Sequence, residues 1–366
     1  MDFSINEDQE ALRGLARKIL SECAPPERIR EIEAEGDRVD RALWQELAGA
    51  NLLGVATGEA FGGAGLGALE LGILLEEVGR AVAPVPVFET LVLGALPLAA
   101  FGSPEQQQAW LPRVSRGEVM LTGAFAGTVV EAAPQGDGWI LTGELPMVPA
   151  ASVADRILVV LDGSDGTPGA CWVDPHATGV SIEPVLTTDQ QARAHVTLRR
   201  APAEPLGDSL SGAELGSWLR RRATLGVCAQ QIGVCDRALE LTASYVTERE
   251  QFDRPVGSFQ AVHTRAADAY IDLQAMRLTY WRALHVLEHE GDGAGADELI
   301  AIAKYWCAEG GARVTAAAQH LHGGIGVDVD YPLHRYYLWG RQLGLQLGGG
   351  AEQLAMLGAM QAAPVR

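Results

Sequence analysis

The sequence predicts an α+β protein of several domains: an N-terminal helical domain, a middle antiparallel β domain and a C-terminal four-helix bundle. Apolar residues recur at helical spacing in the first third of the chain and again after Asp208. Between Leu121 and that point the pattern changes to short apolar runs set between Gly, Pro and Asp clusters, as strands require. A chain of 366 residues with 48% apolar composition can bury a core for each region, since domains commonly run to roughly 100 to 200 residues. The expected boundaries are 1–116, 117–208 and 209–366.

Ser4 and Glu7 stand at capping-box spacing, and Leu12, Leu15, Ala16, Ile19 and Leu20 then share one helical face. The helical pattern continues through Leu43 to Leu53, Leu69 to Val82 and Gln106 to Val114. Strands are expected at Trp139 to Thr142, Ile157 to Leu161, Ala170 to Val173 and His195 to Leu198, with Gly163 to Gly169 as a mobile loop. Four long helical stretches follow, near 212–250, 258–290, 295–321 and 331–360. They are broken by Arg254-Pro255, the Gly291 to Gly295 region and Gly323-Gly324, the pattern of an antiparallel bundle.

Composition narrows the partners. A formal charge of −19 disfavours nucleic acid and anionic membrane, because both are bound by Lys and Arg neutralising phosphates, so an anionic ligand needs a local basic site. Apolar stretches such as Leu91 to Phe101 fall short of the ~20 residues of a membrane helix. The acidic start, Met1 to Glu10, lacks the basic region of a signal peptide, and a cytoplasmic location is expected. Cys23, Cys171, Cys228, Cys235 and Cys307 form no C-x-x-C pair and are expected to be buried thiols.

The densest chemical cluster runs from Glu248 to Val256 and on to Ser258-Phe259-Gln260, where one helix ends and another begins. Arg249 can grip a phosphate through a planar fork, Phe252 can cover an aromatic heterocycle, and Gln251 or Gln260 can hydrogen-bond base or ribose edges. The same residues also read as a helix terminus whose arginines pair with Glu248, Glu250 or Asp253. A second cluster, Gln319 to Gly326, has paired glycines that either let the backbone approach a ligand or simply cap a helix. His320 and His322 are two apart, so they point to different faces of a helix, and no carboxylate stands at matching spacing for a metal. Glu59 to Gly67 has the glycines of a dinucleotide loop but follows a helical segment, without the βαβ context of that motif. No nucleophile elbow or P-loop is present.

In order along the chain, four landmarks resemble the acyl-CoA dehydrogenase family. They are Glu59 to Gly67 with Glu76-Glu77-Val78-Gly79-Arg80; Trp139 to Gly143 with Ala154-Asp155; Arg249-Glu250-Gln251-Phe252 through Phe259-Gln260; and His322 to Gly326 before Tyr331-Pro332. The resemblance covers essentially the whole chain. It implies FAD bound across a subunit interface, with the flavin ring on the β domain of one chain and the ADP half on the C-terminal helices of its neighbour. It places Arg249, Gln251, Phe252, Gln260, Gly323 and Gly324 in the ADP-holding role, together with His320, where the family usually has Gln. It also implies an electron-transfer acceptor.

Two departures shape the expected function. The family reaction needs a carboxylate to take the α-proton of an acyl thioester while the β-hydrogen leaves as hydride to the flavin. The positions that carry this base in the family correspond to Gly348 and Ala223, neither of which can accept a proton. Glu352 lies about one helical turn, ~6 Å, beyond the first and reads as an exposed or capping carboxylate. In the β domain the family's flavin-contacting segments correspond to Ala126-Gly127-Thr128 and Met147-Val148-Pro149, and Pro149 offers neither an N–H nor a hydroxyl.

The split pattern is similar to the shorter, non-catalytic subunit of the heterotetrameric (α2β2) bacterial steroid-CoA dehydrogenases. It implies no catalytic residue and no metal in this chain, a homologous catalytic subunit as partner, and an acyl-CoA substrate bound mainly by that partner. The alternatives are a homomeric dehydrogenase with a displaced base, and a flavin-free scaffold or acyl-CoA binding protein.

Overall fold

A computed structural model of the protein describes residues 5–125, 129–136, 138–161, 167–207 and 211–362. Helices α1 (Glu7–Cys23), α2 (Pro26–Ala34), α3 (Arg41–Gly49), α4 (Ala68–Ala81), α5 (Leu96–Phe101) and α6 (Pro104–Ser115) come first. Strands β1 (Leu121–Ala124), β2 (Val129–Gln135), β3 (Gly138–Pro149), β4 (Arg156–Val160), β5 (Ala170–Val173), β6 (Val180–Pro184) and β7 (Arg193–Pro205) follow. Helix α7 (Gly212–Glu248) then leads through a short hairpin, β8 (Glu250–Gln251) and β9 (Arg254–Pro255), to α8 (Gln260–His289), α9 (Ala294–His322), α10 (Leu333–Leu345) and α11 (Gly350–Ala362). The order helices, strands, helices is the expected one.

The chain divides into two compact units. One holds 21–71 and 84–223 and is built on the sheet, whose order is β1-β4-β5-β7-β3-β2 with β6 also on β7. Neighbours run antiparallel except for β1 and β4, which pair in parallel from Leu121 with Arg156 to Ala124 with Val159. Leu141, Leu145, Val148, Ile157, Val159, Val173, Val196 and Leu198 fill one core. On the helical side Asp40 caps α3, accepting from the Ala42 and Leu43 N–H groups, and the Trp44 indole donates to the Gly117 carbonyl at 2.9 Å.

The other unit holds 1–20, 72–83 and 224–366. Helices α4 and α7 cross through glycines: a Cβ at Gly79 would stand 2.1 Å from the Gln230 carbonyl oxygen, and one at Gly233 would stand 1.8 Å from that of Glu76. Close approach brings a charged network together. Glu77, 1% exposed, accepts from Arg17 at 2.7 and 2.9 Å, Arg277 bridges Glu76 and Asp236, and Arg80 pairs with Asp236 and Glu240. The Glu76 to Arg80 landmark therefore holds helices together rather than facing a ligand.

Several details differ from the sequence expectation. Ser4 lies outside the described residues, and the reciprocal cap of α1 is made by Asn6 and Gln9, each side chain accepting from the other's N–H at 2.8 and 3.0 Å. Leu15 is 43% exposed rather than on the buried face. Helix α2 escapes the periodicity because only Ile29 and Ile32 of its nine residues are buried. Glu89–Ala95 winds as a π-helical turn into α5. Cys23 is half-buried, while the other four thiols are buried and all five are free. The stretch 331–360 is two helices, interrupted at 346–349 where Leu347 and Gly348 take φ of 60° and 102°. Residues 163–166 of the expected loop lie outside the described residues, as do Ala126-Gly127-Thr128 and Asp208.

Candidate functional site

Helix α7 ends at Glu248 and the chain reverses in a two-residue hairpin, with Glu250 opposite Pro255 and Gln251 opposite Arg254. The two residues at its tip, Phe252 and Asp253, have φ of 56° and 62°. Two left-handed residues in succession are what a tight hairpin of this hand demands, and Asn-Gly usually supplies them. A phenylalanine held there is strained by about 1 to 3 kcal/mol. Yet its ring is 86% exposed, touched edge-on by Phe259 at 6.2 Å, which in turn lies under the Arg254 guanidinium at 4.0 Å. Burial therefore does not repay the strain.

Arg249 and Gln260 are exposed, and among the described residues no ion pair or side-chain hydrogen bond engages either. The pairing of Arg249 with Glu248, Glu250 or Asp253 that composition allows is not formed. Gln251 donates to the carbonyl of Glu250, at 2.7 Å.

The second cluster closes α9. Gly323 turns left-handed at φ 63°, and neither Gly323 nor Gly324 has any atom within 4 Å of where a Cβ would stand, so both present open backbone. His320 is exposed and His322 is 2% exposed, which separates the two rings onto different faces. A carbonyl can only accept, so the His322 Nδ1–H donates to the Ala318 oxygen at 2.8 Å, and Nε2 accepts from the Tyr331 hydroxyl at 3.2 Å. The same ring stacks on Tyr245 of α7 with centroids 4.5 Å apart. Tyr245 lies one helical turn before Arg249, so this stack is what brings the hairpin and the glycine turn together. Tyr245 is not among the residues the sequence singles out, although its i, i+4 spacing to Arg249 is a signal for it.

Of the two expected base positions, one is buried and the other is a half-buried glycine. Ala223 is fully buried. A Cβ on Gly348 would stand 2.7 Å from the Gln353 amide nitrogen and 2.8 Å from a Glu352 carboxylate oxygen, and the backbone there is left-handed. Glu352 is exposed and accepts from the Gly349 N–H at 3.1 Å, a capping carboxylate at the start of α11. Lys304, with no exposure, donates to the Leu343 and Gly344 carbonyls at 3.0 and 2.9 Å and so closes the end of α10 just before this loop.

In the sheet-bearing unit, Met147-Val148-Pro149 sits at a bulge of β3 against β7. Met147 is left-handed at φ 56°, Val148 points into the core, and the Pro149 carbonyl already accepts from the Thr122 hydroxyl at 2.6 Å. The segment offers a flavin ring no hydroxyl. Glu59 to Gly67 opens on a one-turn 3-10 helix, Glu59–Phe61, rather than after a strand. A Cβ on Gly63 would stand 2.1 Å from the Thr57 carbonyl oxygen, so that glycine is needed for packing.

The chemistry of the two halves therefore differs. An unpaired guanidinium, an exposed ring and open glycine backbone suit a diphosphate joined to an aromatic base. The 147–149 segment does not suit an isoalloxazine in the same way.

Fold and pattern define a flavin-dependent dehydrogenase architecture, and the chain belongs to the acyl-CoA dehydrogenase family. The family's N-terminal domain matches residues 6–118 and its C-terminal domain matches 221–363. The chain is 40% identical to Acyl-CoA dehydrogenase FadE27 of Mycobacterium tuberculosis, covering 98% of each protein. Among solved structures it resembles a chain of the ChsE4-ChsE5 complex from Mycobacterium tuberculosis, at 39% identity, TM-score 0.92 and full coverage of both chains. It also resembles a chain of the Tcur3481-Tcur3483 steroid ACAD G363A variant, at 44% identity and TM-score 0.90, covering 97% of this chain and 98% of that one.

Proposed function

We propose that this chain is the clamping, base-lacking subunit of a heteromeric acyl-CoA dehydrogenase. Arg249, Gln251, Phe252, Gln260, His320, Gly323 and Gly324 hold the ADP half of FAD, and a homologous partner subunit supplies the proton-abstracting carboxylate and most of the acyl-CoA contacts. When bound, FAD supplies the hydride acceptor for α,β-dehydrogenation. The chain's own residues bind and orient: Arg249 neutralises diphosphate charge, Phe252 covers the adenine, and the 323–324 backbone approaches where a side chain would intrude.

The observation that carries this reading is the pairing of an open clamp with base positions that hold a glycine and a buried alanine, neither of which can take a proton. A carboxylate at Gly348 meets a left-handed backbone, and one at Ala223 meets a filled core. Two of the similar structures are named as two-component assemblies, which supports a partner of the same family. One is named a steroid ACAD, and a steroid-type acyl-CoA is the substrate class carried over here. The division at about 116 and 208 is kept as the domain plan, with the clamp wholly in the last part.

Co-expression with a longer homologue tests the proposal. The isolated chain is expected to be flavin-poor and inactive, and the co-purified complex yellow and active, with flavin content falling in Arg249→Ala. Full dehydrogenase activity of the isolated chain would overturn it, and flavin content indifferent to Arg249→Ala would favour a scaffold.

A further inference from the structure

The turn that carries Gly323 and Gly324 is a short 3-10 helix, Gly323–Val327, with only Gly326 of it buried. Ile325, Val327 and Val329 are exposed by 38%, 62% and 66%, and the two glycines touch nothing with their missing side chains. Glycine-rich backbone loses more freedom on ordering than any other, so a turn of this composition needs an explicit closure to stay in one shape. After the 3-10 helix, two further backbone hydrogen bonds at 3.2 Å, Asp328 N–H to Ile325 and Tyr331 N–H to Asp328, order the descending side. The contact that joins its two ends is between His322 and Tyr331, through the 3.2 Å hydrogen bond and ring centroids 5.3 Å apart.

We infer that His322 is a positioning residue of the clamp: its ring, bonded to Tyr331 and stacked on Tyr245, closes the glycine turn and fixes it beside the end of α7 from which Arg249, Gln251 and Phe252 depart. The geometry of the closure is independent of any ligand. Its consequence for FAD rests on the proposed function above.

The choice of histidine makes the closure sensitive to protons. Burial pushes the imidazole below its ordinary value, opposed by the hydrogen bond to Ala318. From the packed elements, Tyr245, Glu248 and Arg237 of α7 and Tyr331 face the stack; burial raises the Tyr331 phenol, so it stays neutral. Glu248 is held by Ser244 at 2.9 Å, and Arg237 by Glu240. A proton on His322 places charge in a site 2% exposed, so protonation favours the open turn, where the ring is hydrated. The sign follows from linkage: the open form takes up the proton near its ordinary pKa of about 6.5 and the closed form only at lower pH. Closure is full above about 6.5 and is lost as pH falls toward the closed-form pKa.

Hydrogen exchange on the co-purified complex tests this, read in peptides spanning 323–331, alongside retention of FAD after desalting at the same pH. With intrinsic exchange rates corrected, wild-type protection is expected to fall by up to about tenfold per pH unit below pH 6.5, with FAD retention falling in parallel. His322→Phe keeps a ring for the stack but cannot take up a proton, and its profile should be flat. His322→Ala should lose protection at every pH, and Tyr331→Phe should lose part of it with the stack intact. A His322→Phe profile that follows wild type, or full protection in His322→Ala, overturns the inference. Those outcomes leave the dependence of flavin content on Arg249 untouched, whereas indifference to Arg249→Ala defeats the clamp reading and leaves the exchange profile standing.

Discussion

Two of the turns in the C-terminal unit force a pair of adjacent residues into the left-handed region, and they are treated in opposite ways. In the 346–349 loop, Leu347 and Gly348 are met by their surroundings: the Gln353 amide donates to both of their carbonyls at 3.3 Å, Glu352 caps Gly349, and glycine occupies the more demanding position. At the hairpin tip, Phe252 and Asp253 take the same region without glycine, and the phenylalanine is left 86% exposed. The first turn is satisfied from within and has no group to offer a substrate. The second stores strain and displays a ring, which is the arrangement expected where an outside ligand completes the contact.

The largest effects should come from forcing chemistry into the satisfied region. Ala223→Glu buries an unpaired carboxylate in a filled core and is expected to cost about 3 to 5 kcal/mol, measured by urea denaturation. Gly348→Glu should cost about 1 to 3 kcal/mol, because a residue with a side chain must hold the left-handed backbone there while the ends of the Gln353 and Glu352 side chains move aside. Neither should endow the isolated chain with acyl-CoA oxidation. Turnover in either variant would mean that the loop and core are open to a base after all, and the contrast between the turns would break.

At the displayed region the effects fall on ligand rather than fold. Arg249→Ala should weaken FAD binding by the complex about tenfold to a hundredfold, the worth of one charge-assisted contact, with the melting curve of the isolated chain unchanged. Phe252→Gly should move the two in opposite directions: about 1 kcal/mol more stability for the isolated chain from relief of the left-handed strain, and weaker FAD retention in the complex. A loss of stability in that variant would show that the ring is held by Phe259 more than the backbone is strained by it.

The contrast also separates what could be read in the sequence from what could not. Order of regions, the long bundle helices and the residue types at Arg249, Gly323 and Gly324 were legible because each depends on local periodicity or on one residue's chemistry. The π-helical turn at Glu89–Ala95 and the parallel pairing of β1 with β4 were not, since both arise from packing between segments distant in sequence. The break at 346–349 was half-legible: Gly348-Gly349-Gly350 stands in the sequence, but α10 and α11 share an apolar pattern that runs across it. The sequence offers His322 as part of a family landmark and as a metal ligand it does not suit, but not as a packing residue. Its role depends on Tyr245, 77 positions earlier, and on Tyr331, and no local pattern joins three rings across two helices and a turn.

The smallest expected effect discriminates most sharply between a base-lacking subunit and a homomeric enzyme with a displaced base. In Glu352→Gln the amide oxygen can still accept from the Gly349 N–H, so the cap survives and only the negative charge at the start of α11 is lost. That loss is worth about 0.3 to 1 kcal/mol through the helix dipole, visible as a small fall in denaturation midpoint. Turnover of the complex should not change, because a capping carboxylate tied to its own helix has no proton to take. Were Glu352 the base, the same substitution would cost about a hundredfold to ten-thousandfold in rate, far outside any effect the cap could produce. Stopped-flow reduction of the flavin by an acyl-CoA, compared between wild type and Glu352→Gln complexes, therefore decides whether the 346–349 turn is closed for structure or open for chemistry.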